Sequence, residues 1–167
     1  MKRQRYPTSV RMAALLLSGF LASGNLFAQT VGDLAGTWTP VSNVNESGGT
    51  RTDTYGPSPK GTLMIDSKGH YVLALARAGL PKIASNNRVT ATAEENKAIV
   101  GGSIFHTGTI LVNAASKTLI FKIETSTFPN WNGVEQTRSF TVSGDELTYV
   151  APGSSGGTVT AVWKRKN

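Results

Sequence analysis

The sequence predicts an all-β fold: an antiparallel up-and-down barrel of about eight strands, with one short helix between strands three and four. Three observations carry this. From Gly36 onward, short segments rich in Thr, Val, Ile, Leu and aromatics alternate with clusters of Gly, Pro, Asn, Asp and Ser, the rhythm of sandwiches and barrels. The links between segments are compact and elaborate by turns, as a meander requires when successive connections leave opposite ends of a sheet. The first strand begins, and the last finishes, at the same end, so the two can pair and remove the sheet's exposed edges.

Ahead of the barrel, residues 1–28 read as a secretory signal: Lys2, Arg3, Arg5 and Arg11, an apolar run from Met12 to Ala22, then a stretch ending at Ala28, after which cleavage is expected. The run is too short to span a bilayer. The expectation is an exported, periplasmic or secreted bacterial protein, with no integral membrane segment once the signal is removed. One domain of 139 residues, 29–167, then remains from 167, long enough to bury a core without covalent staples. The chain has no cysteine, which excludes both a disulfide framework and a lipid-modified cysteine anchor. Of 17 Lys and Arg, four leave with the signal, and the remaining 13 against 10 acids give +3. Lys164, Arg165 and Lys166 account for that excess, so no basic stripe of the kind a nucleic acid needs is left.

The strands are expected at 36–44, 61–66, 70–77, 103–112, 118–126, 135–142, 146–150 and 157–165. The helix opens at Thr92, whose side chain can cap it while Glu95 completes a capping box, and Gly101-Gly102 end it; it is expected to lie against the sheet. The links at 66–69, 113–117 and 143–145 are minimal turns. Those at 45–60, 78–102, 127–134 and 151–156 are long or unusual, and all four fall at one end. Binding groups concentrate on such loops above a rigid scaffold.

Period-two alternation assigns the faces. Leu119, Phe121 and Ile123 point inward, which sends Phe140 and Val142 inward and aligns Arg138 and Gln136 above them. Tyr71, Leu73 and Leu75 share a face that continues to Arg77 at the mouth. Ile104, His106, Gly108 and Ile110 form another, with Gly108 expected to leave room before His106. An apolar interior with Arg77, Arg138 and His106 converging near its opening would suit a ligand with a carboxylate or other anionic head. Alternatively, each arginine pairs with an acid such as Glu124 or Glu135 and tightens the rim, and His106 is a hydrogen-bonded wall residue. Trp131, inside a Pro-Asn-x-Asn-Gly turn, lies over the opening with Phe128 and Tyr55 nearby, either as a fixed lid or as a gate that stacks on a ligand. The candidate ligand-binding residues are Tyr55, Tyr71, Arg77, His106, Phe121, Trp131, Arg138 and Tyr149.

"GTW" at the head of the first strand and "VWKR" at the end of the last, with "TYGPSPKG", "RAGLPKIASNNR", "EENKA", "FPNW" and "GDELTY" between them, resemble the bacterial lipocalin-like domain family. The resemblance spans nearly all of residues 36–166. It implies a calycin-type barrel whose floor is plugged by Trp38 with Arg165 stacked over it, Trp163 completing a structural floor. The chain departs from typical lipocalins in having no cysteine pair and no long helix after the last strand.

Catalytic motifs are absent. There is no Gly-x-Ser-x-Gly elbow, phosphate loop or His-Glu-x-x-His, and with two histidines, one in a turn at His70, no metal site or cofactor is expected. Glu124 and Glu135 flank the Trp131 turn, but Glu124 points outward and does not form a glycosidase-type pair with Glu135. Asn45-Glu46-Ser47 matches a glycosylation acceptor, a pattern frequent by chance. The partner expected is therefore a small hydrophobic or amphiphilic molecule bound in the barrel. The alternative is a small enzyme of the cyclase, isomerase or dehydratase kind, in which His106 or a rim acid moves a proton; a third, structural role would go with a filled interior.

Overall fold

A computed structural model describes residues 29–166; the predicted signal lies outside them. In chain order the elements are α1 (Val31–Leu34), β1 (Gly36–Ser47), β2 (Thr50–Asp53), β3 (Lys60–Ile65), β4 (His70–Ala76), α2 (Ala93–Gly101), β5 (Ser103–Asn113), β6 (Thr118–Ser126), a 3-10 turn at Pro129–Trp131, β7 (Glu135–Ser143), β8 (Glu146–Pro152) and β9 (Thr158–Arg165). Neighbours pair antiparallel in the order β1-β3-β4-β5-β6-β7-β8-β9, and β9 returns to β1, so the sheet is a closed eight-stranded barrel. The extra strand, β2, folds back on the far end of β1, with Val44 opposite Asp53 and Ser47 opposite Thr50. Its four residues are all exposed, so it carries no apolar alternation by which the sequence could reveal it.

The interior follows the predicted parity on β4, where Tyr71, Leu73 and Leu75 are buried, and on the lower part of β6, where Leu119, Phe121 and Ile123 are. Two bulges then shift it. In β1 the pairing with β9 slips between Pro40 and Ser42, turning Val41 to solvent and bringing Asn43 into the barrel. In β6 it slips at Glu124, beside Thr107 and Gly108 of β5, so that Glu124 and Thr125 face solvent and Ser126 turns inward. Gly108 lies at this second bulge, with φ +155°, where a Cβ would stand 1.9 Å from the Lys122 carbonyl oxygen. Its lack of a side chain therefore lets two backbones approach; the expectation that it makes room for His106 is overturned.

At the base, Trp38 is fully buried and the Arg165 guanidinium lies 4.1 Å from its ring centroid. One turn of helix, α1, passes beneath, where Arg165 Nη1 and Nη2 donate to the carbonyls of Ala35 (2.6 Å) and Asp33 (2.7 Å) and Trp38 Nε1 donates to that of Leu34 (2.9 Å). The arginine thus meets three carbonyl-rich or aromatic surfaces at once, which fixes its place. Gly36 has φ +133°, a conformation that other residues rarely adopt, and a Cβ would also lie 2.9 Å from Arg165 Nη1. Trp163 stands one layer higher than expected for a floor residue, stacked on Tyr149 at 6.5 Å.

Helix α2 has the predicted capping box, with Thr92 accepting from Glu95 N and Glu95 accepting from Thr92 N. None of its residues is buried, however, so it does not lie flat on the sheet; it meets the barrel at the start of β5, where Ser103 Oγ donates to the Ile99 carbonyl. No helix among the described residues is long and apolar enough to cross a membrane.

Candidate functional site

At the end opposite the floor, one cavity of about 50 Å³ brings together Tyr55, Trp131 and Gly153, which come from three different elaborate links, with Arg138 and Tyr149 deeper in the barrel. Leu73, Leu75, Ile104, Ala151 and Val159 supply its apolar walls. All these links do emerge at one rim. By size the cavity admits a few water-sized groups, because aromatic rings fill the barrel below. Phe121 is the hub: Tyr71 meets it edge-on at 5.0 Å and Tyr149 at 5.6 Å, and Tyr149 connects to Trp163 below.

His106 is buried, its Nδ1 2.8 Å from the Tyr71 hydroxyl. Burial, with the nearby Arg138 cation in support, lowers its pKa from 6.5 to about 3, so at neutral pH it is an uncharged imidazole that can accept the phenol's proton. The Tyr71 hydroxyl is itself pushed above its ordinary value by burial, and both groups stay neutral.

Trp131 closes the cavity from above, its ring edge-on to His106 at 5.9 Å and to Phe128 at 5.4 Å. The turn that carries it is pinned: Asn132 Oδ1 accepts from Ser126 N (2.7 Å), and Gly133 N donates to Ile123 O (2.8 Å). The inward rotation of Ser126 by the Glu124 bulge also lets its Oγ accept from Phe128 N (3.0 Å). Trp131 is thus placed by the same irregularity that re-aims β6. Tyr55 lines the other side of the opening, and burial pushes its hydroxyl up to about 12.

Arg138 is 2% exposed. Its guanidinium carbon sits 3.7 Å from the Phe121 ring centroid and 5.0 Å from that of Tyr149, and Nη2 donates to Gln136 Oε1 at 2.8 Å. No carboxylate among the described residues bridges to it, and its Nε has no hydrogen-bond partner. A guanidinium remains charged even when burial lowers its pKa, as it does here. Cation–π contacts, the Gln136 amide and the Tyr149 hydroxyl offset part of a desolvation cost of several kcal/mol, and leave the rest uncompensated.

The predicted convergence of two arginines does not occur. β4 ends at Ala76, and Arg77 is exposed, its Nε donating to the Thr54 carbonyl at 3.1 Å. The alternative, arginines paired with Glu124 or Glu135, fails too: Glu135 bridges Lys122 at 2.9 Å across the β6–β7 register, and Glu124 is the solvent-facing bulge residue. His70 pairs with Asp66 at 2.8 Å on the exposed turn before β4. Among the described residues, no group of three His, Cys, Asp or Glu could hold a metal ion.

The family model described as a lipocalin-like domain matches residues 35–166. The chain belongs to the lipocalin-like domain family. A comparison with curated proteins finds no match. Among solved structures the chain is similar to a redesigned beta barrel, at 16% identity and TM-score 0.44 over 80% of this chain and 92% of that one, too loose a likeness to argue from. A lipocalin-like barrel is suited to binding a small ligand, and the cavity under Trp131 lies at the barrel's loop-rich end. Asn43 and residues 153–155 also line that space and were not singled out from the sequence. Asn43 turns inward only because of the β1 bulge, and the Gly-Ser loop carries no chemical signal beyond its length.

Proposed function

We propose that the protein is exported and binds a small hydrophobic or amphiphilic molecule at the loop-rich end of its barrel. The observation that carries this is the cavity itself: aliphatic walls with a few convergent polar groups, at the one rim where the long links gather. The ligand portion that fits inside is small. Anything longer than a few heavy atoms would extend out between Tyr55, Trp131 and the 153–155 loop. A signal at residues 1–28, read from the sequence, supports export.

The enzymatic alternative would need His106 to move a proton. An imidazole with a pKa near 3 is a weak base at neutral pH, which favours the binding reading. Native mass spectrometry of protein recovered from its own host tests it: the expected result is a small molecule travelling with the barrel. As a second measure, His106→Gln should leave ligand affinity within a few-fold. A bare protein that quenches no tryptophan fluorescence with any short amphiphile would overturn the proposal.

A further inference from the structure

Resting on that reading, we infer that Arg138 is an anion anchor, and that the ligand is an amphiphile whose single carboxylate enters the barrel first. Four features of the site lead there. The guanidinium lines the cavity while being almost completely removed from solvent. Its flat face is taken by Phe121 at 3.7 Å, which leaves the in-plane N–H groups to an acceptor, the geometry in which a carboxylate binds a guanidinium. Its side-chain acceptors among the described residues are neutral, the Gln136 amide on Nη2 and the Tyr149 hydroxyl beside the guanidinium, and Nε has none. Every titratable group around it is uncharged: His106, Tyr71 and Tyr149 all have burial favouring their neutral forms. One positive charge with no counter-charge calls for one negative charge.

The rest of the cavity sets the class of that anion. A cavity of about 50 Å³ admits only a small head, and a lone guanidinium balances one charge rather than two, as a carboxylate supplies. Leu73, Leu75, Ile104, Ala151 and Val159 line the cavity beside Asn43 and Thr54, so the part of the ligand that follows the head is mainly apolar. Burial, with the Arg138 cation itself, keeps His106 uncharged, so no second cation competes for the head group.

The test compares octanoate, methyl octanoate, 1-octanol and octylamine by tryptophan fluorescence and calorimetry at pH 7, on the wild-type protein and on Arg138→Met. The wild type should bind octanoate at least tenfold more tightly than the ester or the alcohol, and should not bind the amine. Arg138→Met should abolish the preference while keeping the alcohol within a few-fold. Equal affinity for octanoate, ester and alcohol in the wild type would sink the anchor assignment and leave amphiphile binding standing. Binding of none of the four would sink both. An Arg138→Met protein that still prefers the acid would place the anion elsewhere. The four wild-type titrations decide the matter even if the variant does not fold.

Discussion

Two buried polar side chains dominate the chemistry of single residues in this barrel, and both have consequences that can be measured without a ligand. The His106 pKa of about 3 lies below its unfolded value of 6.5. Between those values the unfolded chain binds the extra proton, so the contribution to stability is fully present above pH 6.5 and is lost as pH falls toward 3. The slope is on the order of 1 kcal/mol per pH unit. Urea unfolding at pH 7 and pH 5 should show a loss of roughly 2 kcal/mol in the wild type and a clearly smaller one in His106→Gln; equal losses would mean the imidazole is not held neutral. This window lies above the range of Asp33, Asp66 and Glu95, whose pKa values are lowered by hydrogen bonds from Thr30, from His70 and from Ala84 with Thr92. Arg138 acts in the opposite sense. Replacing a desolvated, unpaired cation by an apolar side chain of similar length removes the uncompensated term, so Arg138→Met should raise the stability of the ligand-free protein by roughly 1–3 kcal/mol. Burial of both side chains was legible from alternation alone. What each would face was not, because Arg77, in phase with Tyr71, leaves the strand one residue too early to follow them inward.

At the level of strands and turns, irregularities do the positioning. The Glu124 bulge rotates Ser126 inward, Ser126 holds the backbone of the 127–134 link, and Trp131 comes to rest over His106. Gly108→Ala attacks the first step of that sequence, since the new methyl would stand 1.9 Å from the Lys122 carbonyl. We expect at least about 2 kcal/mol of destabilisation and a changed Trp131 emission spectrum, with Trp131→Phe identifying that signal; a neutral effect would mean the two strands can separate there cheaply. Neither bulge shows in the sequence, because Glu124-Thr125 is polar on both faces and Val41 is apolar on the outer one. The capping box of α2 was legible because Thr92 and Glu95 satisfy each other locally, without help from tertiary contacts. The placement of that helix was not: its apolar residues Ile99 and Val100 are adjacent, which defines no face.

For the whole molecule, closure is the decisive property. Alternating links revealed which end is furnished, and the observed registers follow, with Trp38 and Arg165 forming the floor as the resemblance implied and Trp163 one layer above it. Trp38 and Arg165 sit where the first and last strands meet, so removing either should weaken the seam as well as the core. Trp38→Ala should cost about 3–5 kcal/mol, read from the urea midpoint, and its loss should be less than additive with that of Arg165→Ala, because the two side chains share one contact. What composition could not reveal was α1, a four-residue turn too short for any periodicity, which nevertheless supplies the carbonyls that Arg165 binds.

The pairing of β1 with β9 has a practical corollary for anyone wishing to watch this protein at work. Residues 35 and 166 flank that seam at the sealed pole, so a fluorophore or immobilising tag joined through either would stand a full barrel length from the opening. Labels attached there should report tumbling and association while leaving ligand traffic unobstructed.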